Sequence, residues 1–230
     1  YPLLSLMADQ EKRMKAMGRV VIVGGGEIGN YSRVRSFLKE GDYLVYCDSG
    51  LRHEEKLGKA DLIVGDFDSF FLGWRACEVI VLPEKKDDTD TIFGVKEAYN
   101  RSFREFLLLG FTGRRMDHTL ANIYVLDYLA QKGAKAKVVD DWCEMETVGK
   151  EWKEIPSSFP YFSLIAWKGK VEGVDIENAL YPLSGAEVES SWQYCVSNEP
   201  LYPGARVRVE KGSMLLVKIF DDDKERRLGD

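Results

Sequence analysis

Short acidic segments follow apolar, strand-like segments at five points in the chain. They lie at 47–50, 65–69, 86–90, 114–118 and 140–141, and each contains aspartate. In an open parallel sheet the loops after the strands gather at one edge, where ligands bind. Carboxylates gathered there repel one another unless a cation lies among them, and Mg²⁺ commonly bridges carboxylates and substrate phosphates. The segments therefore predict metal-assisted phosphate chemistry.

The composition is that of an ordinary globular chain. Its 230 residues are 45% hydrophobic and 30% charged, and the net charge is −6. This balance offers no broad positive field for nucleic acid, so we predict no such partner. No apolar run reaches the roughly 20 residues of a membrane span, so we predict no membrane association. Four scattered cysteines without a CxxC pair are typical of reduced thiols, which predicts a cytoplasmic protein.

Strand and helix patterns alternate as far as residue 140. The run at 19–23 is continuously apolar, as in strands buried on both faces. Similar runs recur at 43–46, 62–64, 79–82, 106–109 and 137–139. The segments 89–101 and 117–131 have apolar residues at helical spacing, with N-caps at Asp88 or Thr89 and at Asp117. The alternation predicts an α/β domain with a doubly wound, mainly parallel sheet.

After about residue 155 the helical period is replaced by short strand-like segments between glycines. The predicted strands lie at 162–167, 170–174, 186–189, 193–196, 206–210 and 214–220. We therefore predict a small all-β sandwich domain after the α/β domain. The predicted boundaries are an N-terminal extension at 1–18, the α/β domain at 19–145, a polar junction at 143–155, the β domain at 155–222 and a tail at 223–230.

The first predicted strand leads into Gly24-Gly25-Gly26-Glu27-Ile28-Gly29, which fits the GxGxxG pattern. Asp48 lies near the end of the second strand, at the position of a ribose-binding acid. Taken alone, these features predict an NAD-dependent oxidoreductase. A tight turn without a ligand is the simpler alternative, although glycines also allow a phosphate to approach the backbone.

Two acidic pairs are candidates for binding a metal ion. Asp66 and Asp68 are two residues apart at a strand end, so both can reach one ion. Solvated aspartates in an Asx turn are the alternative. Asp87 and Asp90 share a helix face if the next helix begins early, and Lys86 could then meet phosphate oxygens. Helix capping could account for one carboxylate of this segment, but not for all of them.

The loop at 110–118 is a candidate phosphate site. Gly110 and Gly113 permit close backbone approach, and Arg114 or Arg115 could hold a phosphate through two parallel hydrogen bonds.

His118 and Asn122 are four residues apart and share a helix face. A lone histidine at a helix start is more often structural than catalytic. We interpret His118 as a supporting residue or a substrate contact, not as a catalytic base.

Five motifs, in this order, resemble the thiamine pyrophosphokinase family, which transfers pyrophosphate from ATP to thiamine. They are DSG at 48–50, GDFDS at 65–69, KDDTD at 86–90, GFTGRRMDHTLAN at 110–122, and ALYPL at 179–183 with SN at 197–198. The resemblance extends over about residues 19 to 220 and is more specific than GxGxxG alone. Ser49 and Arg114 stand where the family usually has glycine, which adds bulk beside the presumed nucleotide site.

The resemblance implies Mg²⁺ held by Asp66, Asp68 and Asp90, and phosphates neutralised by Lys86 and Arg115. The implied catalytic residues are Asp66, Asp68, Lys86, Asp87, Asp90 and Arg115. The implied nucleotide contacts are Gly25, Gly26, Asp48, Ser49, Gly50, Thr89, Gly110, Gly113 and Arg114. The implied thiamine contacts are Asp117, His118, Asn122, Tyr181, Ser197 and Asn198.

The resemblance further implies a homodimer, with thiamine between the α/β domain of one subunit and the β domain of the other. The implied reaction is in-line attack of the thiamine hydroxyl on the β-phosphorus of ATP, with AMP leaving. Two alternatives stay open. One is the oxidoreductase, which gives no role to Asp66, Asp68, Asp87 and Asp90. The other is a non-catalytic thiamine or nucleotide sensor, which only a turnover measurement can distinguish.

Overall fold

The computed structural model describes residues 18–67, 75–83 and 87–220. The chain divides into two compact units, with the division after Asp141. The predicted tail and all but the last residue of the predicted N-terminal extension lie outside the described residues. Within the described ranges, no helix combines the length and apolar character needed to cross a membrane.

The first unit is built on a parallel sheet with the strand order β4-β3-β2-β1-β5-β6. The strands are β1 (Val20–Val23), β2 (Tyr43–Cys47), β3 (Leu62–Gly65), β4 (Glu78–Val81), β5 (Glu105–Leu109) and β6 (Lys135–Val139). Val20 in β1 pairs with Tyr43 on one side and Phe106 on the other. All of β1 is buried, as expected for a central parallel strand covered on both faces. The predicted mainly parallel sheet is confirmed.

Helical segments connect these strands. They are α1 (Tyr31–Arg35), a 3₁₀ helix (Asp48–His53), α2 (Glu54–Leu57), α3 (Asp90–Asn100) and α4 (Met116–Gln131). The strand order reverses between β1 and β5, and in such sheets a ligand crevice opens at the carboxyl ends of the strands where the order reverses.

The starts of the two long helices differ in how well the sequence predicts them. Thr89 caps α3 by accepting a hydrogen bond from the Ile92 N–H, which confirms one of the two predicted caps. The predicted cap at Asp117 is wrong, because α4 begins at Met116 and Arg115 occupies the cap position. The Asp117 carboxylate is instead held by the Arg115 side chain.

The second unit is all β. One set of antiparallel strands runs β7-β13-β9, and a four-stranded antiparallel sheet runs β11-β10-β12-β8. The strands are β7 (Cys143–Val148), β8 (Lys153–Pro156), β9 (Tyr161–Ala166), β10 (Lys170–Glu177), β11 (Leu183–Glu189), β12 (Gly204–Lys211) and β13 (Met214–Ile219). Buried residues from both sets, such as Leu216 and Val174, form one cluster. Both sets therefore contribute to a single core, as expected for two packed layers.

Two expectations for this half of the chain are wrong. The segment predicted as a polar junction contains the strands β7 and β8. Glu144 and Glu146 of β7 form ion pairs with the Lys218 side chain of β13, which is 4% exposed. Because these charges are paired inside the unit, β7 can be a strand although its sequence is polar. The predicted strand at 193–196 is a series of turns in which the Cys195 carbonyl accepts one hydrogen bond from the Leu164 N–H.

Candidate functional site

A cleft of about 300 Å³ lies in the first unit, lined by residues from the loops that follow β1, β2 and β5 and from the starts of α3 and α4. The position agrees with the reversal of strand order between β1 and β5. The cleft brings together many of the predicted site residues, namely Gly25, Gly26, Asp48, Ser49, Thr89, Asp90, Gly110, Gly113, Arg114, Arg115, His118 and Asn122. Residues far apart in sequence therefore converge on one space.

Three carboxylates from different segments converge beside this cleft. Asp48, Asp66 and Asp90 each offer an oxygen atom, and these atoms lie within 4.8 Å of one another. Asp48 follows β2 with a φ of 48°, a left-handed conformation that aspartate tolerates better than most residues. Asp66 follows β3, and Asp90 begins α3.

The chemistry of this donor set fits Mg²⁺, because hard carboxylate oxygens are the ligands this ion prefers. Among the described residues, the cluster adds Asp48 to two of the predicted ligands. Asp48, expected only as a nucleotide contact near the metal, is within reach of the same point as Asp66 and Asp90. Asp68 and Lys86 lie outside the described residues, so their predicted roles stay predictions.

Two residues just before α3, Asp88 and Thr89, have partners outside the carboxylate cluster. Asp88 pairs with Lys96 at 2.5 Å, and Thr89 caps the helix. Asp87 is exposed and precedes the helix, which begins only at Asp90. The early helix start that would place Asp87 and Asp90 on one helical face therefore does not occur.

Two glycine loops form one wall of the cleft by close backbone contact. The Gly24 N–H donates to the Leu109 carbonyl and the Gly26 N–H to the Gly110 carbonyl, both at 2.8 Å. A Cβ atom on Gly26 would lie 2.0 Å from the Thr112 carbonyl oxygen. Only glycine fits at this position, so the GxGxxG pattern serves backbone packing whatever ligand it binds.

The two arginines of the loop before α4 have different carboxylate partners. Arg114 lies 3.1 Å from Glu27, and both side chains are largely exposed. Arg115 donates through Nε and Nη2 to the two oxygens of Asp117 at 2.9 and 2.6 Å. These hydrogen bonds hold the pKa of the Asp117 carboxyl well below its usual range. Asp117 thus orients Arg115 as a planar fork.

We expect Arg115→Gln to raise the pKa of Asp117 toward the usual value of about 3.9, because the paired cation is removed. Arg114→Gln is the matched control, since Arg114 pairs with Glu27 instead. The measurement is an NMR titration of the Asp117 carboxyl carbon in both variants. Equal Asp117 pKa values in the two variants would contradict the observed pairing.

The fifth acidic segment supports loops and is not part of the carboxylate cluster. Asp141 accepts hydrogen bonds from the Gly29 and Asn30 N–H groups at 2.7 and 2.9 Å. Asp140 accepts one from the Thr112 hydroxyl at 3.0 Å. The expectation that all five segments share one chemical role is therefore wrong for Asp140 and Asp141.

Polar residues of α4 hold the loop that precedes the helix. Asn122 donates from its side chain to the Phe111 carbonyl at 2.9 Å, and the Thr119 hydroxyl accepts from the Gly113 N–H at 3.1 Å. His118 lines the cleft beside them. Thiamine contacts by Asn122 and His118 stay predictions. The contribution of Thr119 was missed, because a helical threonine carries no distinctive local signal.

In the second unit, Asn198 positions a predicted thiamine contact. Asn198 is 3% exposed, accepts from the Tyr181 N–H at 3.0 Å and donates to the Tyr181 carbonyl at 2.7 Å. The Tyr181 side chain is 63% exposed. Ser197 adopts a φ of 59° and donates its N–H to the Ser163 hydroxyl. The structure therefore gives Asn198 a role in shaping the backbone around Tyr181.

Comparisons with known proteins agree with these motifs. Residues 34–138 match the family described as thiamin pyrophosphokinase, catalytic domain. A thiamine pyrophosphokinase of Bacillus subtilis is 25% identical over 165 residues, which cover 68% of this chain and 77% of that protein. The resemblance inferred from the motifs is confirmed.

Solved structures share the fold. A crystal structure of thiamine pyrophosphokinase from Bacillus subtilis has a TM-score of 0.79 at 21% identity, covering 88% of this chain and 99% of that one. Thiamin pyrophosphokinase from Candida albicans has a TM-score of 0.71 at 14% identity, covering 91% and 90%. Asp48, Asp66 and Asp90 lie inside the segment that matches the family.

Proposed function

We propose that this chain, a diphosphotransferase of the thiamine pyrophosphokinase family, transfers the pyrophosphoryl group of ATP to the hydroxyl of thiamine. The products are thiamine diphosphate and AMP, and the reaction depends on Mg²⁺. The observation that carries the proposal is the convergence of Asp48, Asp66 and Asp90 beside a glycine-walled cleft. Phosphoryl transfer asks a protein mainly for positioning and charge neutralisation, and this arrangement can supply both.

Residues in and beside the cleft would bind the metal ion and the phosphates of ATP. Asp48, Asp66 and Asp90 would hold Mg²⁺, which supplies charge neutralisation on the phosphate oxygens. Gly25 and Gly26 let the phosphates approach the backbone. Arg115, whose Nε and Nη2 atoms donate to Asp117, can donate two further parallel hydrogen bonds from its Nη1–H and second Nη2–H groups to the transferred group.

Tyr181 is the residue that we propose contacts thiamine. Thiamine is a cation, and an exposed aromatic face attracts cations. The buried Asn198 amide forms hydrogen bonds with both the N–H and the carbonyl of Tyr181, so the backbone that carries the ring is held in place. We propose that Tyr181 contacts the thiamine rings and that Asn198 acts by positioning it.

The oxidoreductase alternative is not favoured, because it leaves Asp66 and Asp90 of the carboxylate cluster without a role and because the family match is to a transferase. A sensor would keep the same pockets. The homodimer and the cytoplasmic location stay predictions. Light scattering tests the dimer, since a dimer has twice the chain mass of 26.2 kDa.

The direct test is to incubate the purified protein with thiamine, ATP and Mg²⁺ and to separate the products by chromatography. We expect AMP and thiamine diphosphate in equal amounts, and neither product when EDTA removes the metal. ADP in place of AMP would indicate transfer of a single phosphoryl group and would refute the proposal. Thiamine binding without any product would favour the sensor.

A further inference from the structure

A buried histidine that the proposed mechanism does not use lies behind the glycine wall of the cleft. His53 ends the 3₁₀ helix and is 2% exposed. Its Nδ1 atom lies 2.6 Å from the Tyr31 hydroxyl, and its Nε2 atom lies 2.9 Å from the Gly26 carbonyl oxygen. Both ring nitrogens therefore have partners, one on α1 and one on the glycine loop.

The partners determine the tautomer of the ring. A carbonyl oxygen can only accept, so Nε2 must carry the proton and donate it to Gly26. Nδ1 then accepts from the Tyr31 hydroxyl. The Arg52 Nε–H lies 3.4 Å from the same Nε2 and could donate to it only in the opposite tautomer, so the shorter contact with the Gly26 carbonyl decides the assignment. Burial lowers the pKa of His53, which favours this neutral, single-donor form.

The neighbouring carbonyl is held from the same helix. Arg52 donates from Nη2 to the Gly25 carbonyl. On the other side of the loop, the Gly26 N–H donates to the Gly110 carbonyl. The glycine loop after β1 is therefore held by hydrogen bonds from side chains of the 3₁₀ helix on one side and to the backbone after β5 on the other.

Holding a carbonyl also determines where the next N–H points. A trans peptide is planar, so the N–H of Glu27 points away from the Gly26 carbonyl and hence away from His53. The Glu27 nitrogen lies 3.6 Å from the position that a Cβ atom on Gly113 would take. Glu27 and Gly113 both line the cleft. The His53 hydrogen bond therefore controls the orientation of a peptide in the cleft wall.

We propose that His53 is a positioning residue, which through its Nε2–H sets the Gly26–Glu27 peptide in the orientation that receives the triphosphate of ATP. The inference rests on the proposed function, because it takes ATP as the ligand of this cleft. His53 itself touches no substrate. Its loss is expected to weaken ATP binding and to leave the KM for thiamine unchanged.

Two amide variants separate this role from simple core packing. In His53→Gln the side-chain amide can place an N–H near the position of Nε2 and keep the bond to Gly26. In His53→Asn the shorter amide reaches only the position of Nδ1 and keeps the bond to Tyr31. We expect His53→Asn to raise the Kd for ATP roughly tenfold, the effect of losing one hydrogen bond that orients the loop. His53→Gln is expected within about threefold of the wild type, since it retains that bond.

The probe is ATP with Mg²⁺ and without thiamine, measured by isothermal titration calorimetry, with thermal midpoints for each variant. Equal ATP affinities in the two variants would overturn the proposal, whether both bind normally or both bind weakly. If His53→Asn does not fold, Tyr31→Phe replaces it. We expect its Kd for ATP to rise about threefold, because the tautomer is no longer held; an unchanged Kd would overturn the proposal.

Turnover measured on the wild type separates the two proposals. Product formation together with equal ATP binding by the Asn and Gln variants refutes the role of His53 alone. Absence of product together with a clear difference in ATP binding refutes the transferase and supports the role of His53. A wild-type protein that binds no ATP refutes both.

Discussion

Asp66→Asn is expected to lower kcat on the order of 10²-fold while leaving the fold intact. Asparagine keeps the size of the side chain but removes one of the three carboxylate charges that converge beside the cleft. A neutral amide holds a divalent ion more weakly and leaves more charge on the phosphates. The measurement is steady-state production of AMP at saturating ATP and thiamine, over a range of Mg²⁺ concentrations.

Asp88→Asn is the matched control for Asp66→Asn. Asp88 precedes Asp90 closely in sequence, but its carboxylate pairs with Lys96 and takes no part in the cluster. We expect near-normal kcat for this variant, because a partly exposed ion pair contributes little. Near-normal turnover of Asp66→Asn, with its thermal midpoint unchanged, would refute the assignment of the metal site.

Gly50→Ala is expected to destabilise the protein by about 2–4 kcal/mol. A Cβ atom on Gly50 would lie 2.3 Å from the Val23 carbonyl oxygen and 3.0 Å from the Gly24 carbonyl carbon and oxygen. These are backbone atoms at the end of the central strand, and they cannot move aside as a flexible side chain would. The measurement is the free energy of unfolding from urea denaturation.

Gly149→Ala provides the comparison for Gly50→Ala. No atom lies within 4 Å of a Cβ placed on Gly149, so the change should stay within about 0.5 kcal/mol of the wild type. The two variants add the same methyl group and differ only in what surrounds it. Equal unfolding midpoints for the two would show that the loop after β2 packs differently from the arrangement described.

The first unit was the more predictable half of the fold. Strands buried on both faces need a continuous apolar run, so β1 and β5 are visible in the sequence. The strands of the second unit are harder to predict from the sequence. Glu144 and Glu146 resemble part of a polar junction, because a sequence does not show that Lys218 of a neighbouring strand forms ion pairs with both.

The candidate site was predictable where the chemistry lies in side chains and unpredictable where it lies in the backbone. Asp66 and Asp90 follow from their positions beside predicted strands and helices. Asp48 was predicted as a nucleotide contact, but its convergence with Asp66 and Asp90 required the structure, in which it has a left-handed backbone conformation. Arg52 and His53 went unnoticed since each contacts the glycine loop through a carbonyl group, which every residue has and no motif marks.

The buried charges of β7 and β13 have a consequence for how these strands find each other during folding. Lys218 pairs with Glu144 in the strand register, and it shares the buried face with Met214 and Leu216. A slip of one residue in β13 would turn Lys218 to the opposite face. That slip would move the cation away from the buried Glu144 carboxylate, a cost of several kcal/mol, while Glu146 would keep its ion pair with Lys153. An all-apolar seam would tolerate the same slip more easily, so these charges discriminate between alignments of the two strands.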